Sequence, residues 1–278
     1  MNSASSQCTV LATMSLPIFI LTVAIVDLIV DRGSPRGPVF DPPLLVLLLT
    51  PVFVSGIAFT LSFVSARCYL RTGLANLLLL GAGVLALGLG GLGAWLKLLP
   101  DGANILVTTS NVGMLLGSVL CLGSAVMPTV KPLITTKTKV KLTTVYAGVL
   151  VFTGLSMKLA FNGAFSWFFS EGSGHTLVSQ TVLAASGILF AVSSSIVMRA
   201  HSTFKPQFLY WYSLFLASFA IGNIMFSSAR FLGDPLGWAA RIAQCLGSLY
   251  VFIALLSARR EAKLKRLPFA EVLACHLV

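Results

Sequence analysis

The chain has 278 residues, of which 56% are hydrophobic and only 10% are charged, and its mean hydropathy is +0.93. This composition excludes an ordinary soluble domain, in which roughly 25% of residues are charged. The net charge of +11 comes from Lys and Arg residues that concentrate in short loops and near the C-terminus, where such residues orient membrane helices and contact anionic headgroups. The lipid bilayer is therefore the expected partner, and nucleic acid is not.

Apolar runs long enough to cross about 30 Å of hydrocarbon as helices recur along the chain. Gly- and Pro-containing connections such as RTG and LGDPLG separate them. The sequence therefore predicts an all-α, polytopic membrane helix bundle with about eight transmembrane helices. The predicted spans lie at about 9–30, 43–66, 74–96, 104–127, 142–160, 177–198, 207–229 and 237–257.

Two further features of the spans follow from the sequence. Pro17 and Pro51 lie inside the first two spans and are predicted to kink them. Residues 1–257 are expected to form the transmembrane domain, and residues 258–278 a basic cytoplasmic tail or the start of a signalling linker.

The distribution of cations between the two sets of loops predicts the orientation, because Lys and Arg concentrate on the cytoplasmic side. One side holds Arg32, Arg36, Lys97, Lys158, Arg230 and Arg241. The other side holds Arg67, Arg71, Lys131, Lys137, Lys139, Lys141, Arg199, Lys205, Arg259, Arg260, Lys263, Lys265 and Arg266. This asymmetry places both termini in the cytoplasm and predicts a multi-pass protein of the cell membrane.

Small residues recur at a spacing of about four positions in three of the predicted spans. They are Ala82, Ala86, Gly90 and Ala94 in the third, Gly113, Gly117 and Cys121 in the fourth, and Ser218 and Gly222 in the seventh. Small residues at this spacing let membrane helices approach closely. The pattern predicts packing within the bundle, and the alternative is a seam between two copies in a homodimer.

Strongly polar residues inside the spans fall mostly in the predicted outer halves. They are Asp27, Asn111, Lys158, Gln180, Asn223, Arg230, Arg241 and Gln244. Because a charge in the bilayer is costly, such residues face a partner or a wet cavity, or reach the headgroups from a helix end. An outer polar cavity and snorkelling to the headgroups are therefore both open. A proton or ion pathway is less favoured, because the inner halves lack a continuing acidic relay.

The connection between the fifth and sixth spans reads FNGAFSWFFSEGSGHT. Its aromatic residues are typical of the headgroup level, and the connection is interpreted as an interfacial lid. The lid residues are Trp167, Phe168, Phe169, Glu171 and His175. A single histidine is weak support for a metal site or a pH sensor.

Motifs for catalysis, nucleotide binding and metal binding do not occur in the sequence. The five cysteines are scattered and have no spacing typical of a zinc site or a disulfide framework. Enzyme activity, a cofactor and a bound metal are therefore not expected.

Four stretches carry a resemblance to a known family: ARCYLRTG, WFFSEGSGHTLVSQTVL, FLYWYSLFLASFAIG and LGWAARIAQCLGSLYVFIALLSARREA. Together they resemble the N-terminal multi-pass membrane sensor (MASE-type) regions of prokaryotic PAS-containing histidine kinases. The resemblance implies a signal-input domain of a two-component system, with a cytoplasmic PAS and kinase output module in cis or in trans.

A sensor that detects an unknown stimulus is therefore the first expectation for function. The alternatives are a small multi-pass transporter or permease and a membrane scaffold subunit. The two halves of the chain share no obvious motif, and this disfavours a transporter built from repeats.

The last span has no Gly or Pro between Ser248 and Leu267, so one helix is predicted from about 237 to about 266. Its far end carries cations expected to contact anionic lipid: Arg259, Arg260, Lys263, Lys265 and Arg266. We expect this helix to pass a signal from the membrane to an output module.

Overall fold

The computed structural model of the chain describes residues 46, 48–98, 102–127, 137–163, 168–170, 174–204, 207–229 and 233–277. Seven helices among these residues are long and apolar enough to cross a membrane. The predicted all-α membrane bundle is thereby confirmed. The first predicted span, at about 9–30, lies outside the described residues, as does Pro17.

The helices and strands follow one another with short connections. They are a π-helical segment Thr50–Gly56 leading into α1 (Ile57–Thr72), α2 (Ala75–Leu92) with a 3₁₀ extension Gly93–Leu98, α3 (Gly102–Val126), α4 (Lys137–Phe161), β1 (Phe169–Ser170), β2 (Gly174–His175), α5 (Leu177–Phe204), α6 (Gln207–Ser228), α7 (Pro235–Lys265) and α8 (Phe269–Leu277). The seven described spans match the predicted ones in order and approximate position, but α1 and α5 end later than predicted, at Thr72 and Phe204, and α7 continues well beyond its apolar run.

Pro51 lies at the start of a local departure from α-helical geometry. The segment Thr50–Gly56 is π-helical, and Pro51 occupies its first turn. Proline lacks the amide hydrogen that an α-helix needs at this point, and π-helical turns are one way in which a helix accommodates such a break. At Pro51, where the sequence predicts a kink, the structure thus shows a wider helical turn.

The alternation of the spans gives the bundle two ends. We call the end that carries His175 and Asp234 the cavity end, and the end that carries Arg71, Lys139 and Arg199 the basic end. At the basic end α1 stops at Gly73, whose φ of 73° is left-handed, and the Gly73 amide donates to the carbonyl of Tyr69 over 2.7 Å. The cation count predicts that the basic end faces the cytoplasm.

The small-residue pattern brings α2 and α3 into close contact within one chain. A Cβ atom on Gly113 would lie 2.8 Å from the Ala86 carbonyl oxygen and 2.8 Å from the Cα of Gly90. Ala82, Ala86 and Ala94 are all fully buried. These residues serve packing inside the bundle, which is the first of the two interpretations of the pattern.

Helix α6 lies at the centre of the second half of the bundle and is lined by aromatic residues. The rings of Phe208 and Tyr212 stack at 5.8 Å, and those of Phe215 and Phe219 lie 4.8 Å apart. Phe190 of α5 packs edge-on against Phe219 at 5.8 Å. Offset and edge-on pairs add to the stabilisation that burial provides.

Helix α7 is unbroken over 31 residues, as predicted from its lack of Gly and Pro in the second half. The chain reverses at Arg266, which has a left-handed φ of 52°. The short helix α8 then packs back with Ala270, Val272 and Leu273 buried, mainly against α1 and α7. The segment 258–278, expected as a tail or linker, thus includes a helix docked on the bundle.

The close approach of α2 and α3 makes Gly113 intolerant of any side chain. We expect Gly113→Ala to lower the free energy of unfolding by about 1–3 kcal/mol, because the added methyl meets backbone atoms that cannot move independently. Gly148→Ala is the matched control, since a Cβ on Gly148 of α4 meets nothing within 4 Å. Thermal unfolding in detergent measures both variants. Equal stability of the two would contradict the tight α2–α3 contact.

Candidate functional site

The start of α7 places two polar side chains at the cavity end of the bundle. Pro235 occupies the first turn, where its missing amide hydrogen costs nothing. Arg241 and Gln244 are three residues apart and therefore share one face of the helix. Both are buried, with 7% and 5% of their surface exposed, so this face points into the protein.

The guanidinium of Arg241 lies close to two aromatic rings. Its central carbon lies 5.2 Å from the ring centre of Trp238 and 5.9 Å from that of Phe226. Such contacts stabilise a cation that has left water.

A chain of amide and hydroxyl groups connects α7 to α6 and α5. Gln244 Nε2 donates to Asn223 Oδ1 over 3.1 Å, and Asn223 Nδ2 donates to Ser186 Oγ over 3.0 Å. Asn223 and Ser186 are fully buried. Because buried polar groups in a membrane protein find no water, these bonds fix the rotation of the three helices relative to one another.

A second hydrogen-bonded group connects α5 to α3. Asn111 Nδ2 donates to Ser179 Oγ over 2.8 Å, and His175 Nδ1 lies 3.0 Å from the same oxygen. Thr176 caps α5, because its Oγ1 accepts the amide hydrogen of Ser179 over 3.3 Å. This cap positions His175 just before the helix and Ser179 one turn into it.

The strand pair holds His175 over the end of the bundle. Phe169 of β1 pairs with His175 of β2 in antiparallel register, and their rings meet edge to face at 5.7 Å. Phe168 is buried and packs in a cluster with Val107 of α3. The connection predicted as a lid therefore contacts the bundle through its described aromatic residues.

A cavity of about 50 Å³ lies between these two groups. Its apolar walls come from several helices, and its polar lining from the residues just described together with two hydroxyl groups. The lining residues are Val46, Thr50, Leu106, Val107, Ser110, Asn111, Met114, His175, Leu183, Phe226, Arg241 and Gln244. Apolar walls with a few convergent polar groups are typical of small-molecule sites.

Of the residues predicted for a polar cavity, Asn111, Arg241 and Gln244 line this space, and Asn223 lies directly behind Gln244. Gln180 is half-buried and does not line it, and Lys158 lies exposed on α4. His175, predicted as part of the lid, contributes to the cavity wall. Four predicted residues lie outside the described part of the chain: Asp27, Trp167, Glu171 and Arg230.

Sequence reasoning did not single out Ser179 and Ser186, which complete both hydrogen-bonded groups. The signal that could have found them is their spacing. His175 and Ser179 are four residues apart, and Ser186 follows after seven more, so all three face the same side of α5 or its direct extension. A lone serine in an apolar helix carries little information until this spacing is compared with Asn111 and Asn223.

The chain matches no protein-family model, no curated protein and no solved structure. The function is therefore inferred from the geometry of the chain itself. Among the described residues, no cluster of His, Cys, Asp and Glu side chains could hold a metal ion.

Burial, and to a smaller extent the nearby charge of Arg241, lower the pKa of His175 from 6.5 to about 4, while the charge of Asp234 acts in the opposite direction. The imidazole is therefore neutral at pH 7 in the folded protein. Below pH 6.5 the imidazole of His175 becomes protonated in the unfolded chain, whereas in the folded chain it becomes protonated only at about pH 4. The contribution of the neutral imidazole to the free energy of unfolding is accordingly complete above pH 6.5 and is lost as the pH falls towards 4.

We expect His175 to contribute a loss of about 1.4 kcal/mol in the free energy of unfolding for each pH unit between pH 6.5 and pH 4. His175→Gln removes the titration and should flatten the profile in this range. Thermal midpoints measured at several pH values in detergent provide the comparison. His201→Gln on the opposite end of α5 is the control, and an unchanged slope in the His175 variant would contradict the buried, neutral histidine.

Proposed function

We propose that the chain is the signal-input domain of a sensor in the cell membrane. In this proposal a stimulus occupies the cavity at one end of the bundle, and α7 carries the response to an output module at the other end. The four sequence stretches that resemble membrane sensor regions of PAS-containing histidine kinases support this choice. That resemblance favours a cytoplasmic PAS and kinase module, in cis or in trans, as the partner.

The observation that carries the proposal is the continuity of α7. Arg241 and Gln244 lie near the start of this helix and contribute to the cavity. Arg259, Arg260 and Lys263 lie exposed near its other end. A helix of 31 residues spans about 46 Å at 1.5 Å per residue. A shift or rotation of α7 at the cavity would therefore also displace the far end of this helix, beyond the basic end of the bundle.

The cations at the end of α7 suit contact with an anionic membrane surface. Arg259, Arg260, Lys263, Lys265 and Arg266 are all exposed. Lys265 forms an ion pair with Glu261, one turn earlier, at 2.6 Å. A cation near an anionic leaflet contributes about 1 kcal/mol to membrane attraction. These residues can thus hold the end of α7 at the headgroups while the helix transmits a movement.

A small transporter is the second candidate, because a polar cavity inside a bundle also suits a carried solute. A transporter must open its cavity alternately to both sides. Further along α5 and α6 from the cavity-lining Leu183 and Phe226, the buried rings of Phe190, Phe215 and Phe219 pack against one another. This packing favours a site that is reached from one end.

The proposal predicts that a change in the cavity alters the position of the α7 end. Spin labels on a cysteine-free background would report the distance from Lys139 on α4 to Arg260 and to Leu256 on α7, all three of which are exposed. We expect Arg241→Gln to shift both distances by about 1–2 Å, the usual scale of helix shifts in switching proteins. Lys158→Gln, which removes an exposed cation at the cavity end, should shift neither.

A flexible insertion separates transmission along α7 from general disturbance. Two glycines inserted after Ala258 lie between the two labelled positions of α7 and break helical continuity there. We expect the shift caused by Arg241→Gln to persist at Leu256 and to disappear at Arg260. A shift that passes the insertion unchanged, or no shift in the protein without the insertion, would contradict signalling through α7. Labelling of a cysteine at Ser110 from the basic side of proteoliposomes would favour the transporter.

A further inference from the structure

The side chains that line the cavity favour some classes of occupant over others. None of the described residues that line it is acidic, and Asp234 lies just outside the lining, close enough for its charge to act on His175. Its polar groups are the hydroxyls of Thr50 and Ser110, the amides of Asn111 and Gln244, and the side chains of His175 and Arg241. The nature of a suitable occupant therefore depends on whether these groups offer donors or acceptors.

The hydrogen bonds around Ser179 favour one tautomer of His175. Asn111 donates an amide hydrogen to Ser179 Oγ. Among the described residues, the hydroxyl hydrogen of Ser179 has no acceptor other than His175 Nδ1, so we assign this bond to the hydroxyl as donor. A nitrogen that accepts this hydrogen carries none of its own, so in the neutral ring the hydrogen sits on Nε2. His175 therefore presents an N–H group on its other side.

That N–H group has no hydrogen-bond acceptor among the described residues. His175 lines the cavity, only 9% of its surface is exposed, and its Nε2 atom is buried. A buried donor without an acceptor costs about 1–3 kcal/mol. An occupant of the cavity that accepts a hydrogen bond at this position would remove that cost.

Arg241 adds a positive charge to the same wall. Its guanidinium has five N–H donors and stays charged at any physiological pH, whatever other contacts it makes. Only 7% of its surface is exposed, and the low polarity around it strengthens its attraction for a negative group. A guanidinium donor beside an imidazole donor suits two oxygens bound to one atom, as in a carboxylate.

The volume of the cavity limits the size of the occupant. About 50 Å³ is several times the roughly 10–15 Å³ that one water molecule needs when cavity volume is measured in the same way. A group of roughly three or four non-hydrogen atoms fits this space. The apolar lining from Leu106, Val107, Met114 and Leu183 suits a small methyl or hydrogen substituent on the far side of the occupant.

We propose that the cavity binds a small oxyanion of the carboxylate type, such as formate, acetate or the similarly shaped nitrate, through the Arg241 guanidinium and the His175 Nε2–H group. As the identity of the stimulus, this inference rests on the proposed sensor function; as a binding site it stands on the cavity alone. A free anion and the carboxylate of a membrane lipid offer the same chemistry, and the experiment distinguishes these two sources.

The test uses the full chain in nanodiscs of zwitterionic phosphatidylcholine. Thermal unfolding is followed while formate, acetate or nitrate replaces gluconate, which is too large for the cavity, at constant ionic strength. We expect a saturable rise in the unfolding temperature with at least one of the three small anions. A flat response to all three, together with a flat response in the lipid arm below, would overturn the proposal.

Variants assign the response to the cavity. Two variants each remove one donor. Arg241→Gln should weaken anion binding at least tenfold, and His175→Phe should weaken it about fivefold. Ser110→Leu fills the cavity without touching either donor and should abolish the response, so the test does not depend on one variant that folds poorly. Lys158→Gln should bind within twofold of the original chain. A response that survives Arg241→Gln and Ser110→Leu would place the anions elsewhere and overturn the proposal.

Nanodiscs that contain oleate form the second arm. Stabilisation by oleate that disappears in Ser110→Leu supports the same site with a lipid carboxylate as its source. Stabilisation by oleate that persists in this variant counts against it. The same measurements test the sensor function independently of the binding site. If an anion binds but the distances between Lys139 and α7 stay unchanged, signalling through α7 is contradicted and the anion site is still supported. If the distances respond to Arg241→Gln but no anion binds, the anion site is contradicted and signalling through α7 is still supported.

Discussion

The hydrogen bonds from Gln244 through Asn223 to Ser186 are the constraint on which the cavity end of the bundle depends. In water, solvent molecules can take over the hydrogen bonds of two amides that separate. In a membrane these groups must find hydrogen-bond partners within the protein. The bonds of 3.1 and 3.0 Å join α7, α6 and α5. Once the rotation of α7 is set at Gln244, Arg241 on the same face must point into the cavity.

The two halves of the bundle use different means of packing, and the cavity lies where they meet. On one side Gly113 allows the backbones of α2 and α3 to touch, which leaves no space between them. On the other side α6 is filled by rings such as Phe215 and Phe219. Asn111 of α3 and Ser179 of α5 bridge the two halves with a 2.8 Å hydrogen bond. The cavity lies between α3, α5, α6 and α7, at the end of the bundle where this hydrogen bond is found.

The spans and the continuity of α7 could be predicted from sequence because both depend on strong local signals. Hydropathy reports where a chain must be covered by lipid, and the absence of Gly and Pro between Ser248 and Leu267 leaves nothing to interrupt a helix. The polar residues Asn111, Arg241 and Gln244 stand out for a similar reason, since such side chains in a span need a partner.

The remaining features depend on contacts between distant parts of the chain. Ser179 and Ser186 matter only because Asn111 and Asn223 reach them from other helices. The reversal at Arg266 uses a left-handed conformation that glycine favours, so the sequence gives no warning that α8 folds back onto α1. The strand pair at His175 has only two residues in each strand, too few for a recognisable alternation.

The energetic coupling between Asn223 and Gln244 tests most directly whether their hydrogen bond orients α7. A double-mutant cycle with Asn223→Leu, Gln244→Leu and the combined variant isolates their interaction from the effect of each substitution alone. We predict a coupling free energy of about 0.6–1.7 kcal/mol, the range found for hydrogen bonds between membrane helices. Destabilisations that add within about 0.3 kcal/mol would show that the two side chains act independently, and would contradict the claim that this bond sets the orientation of α7.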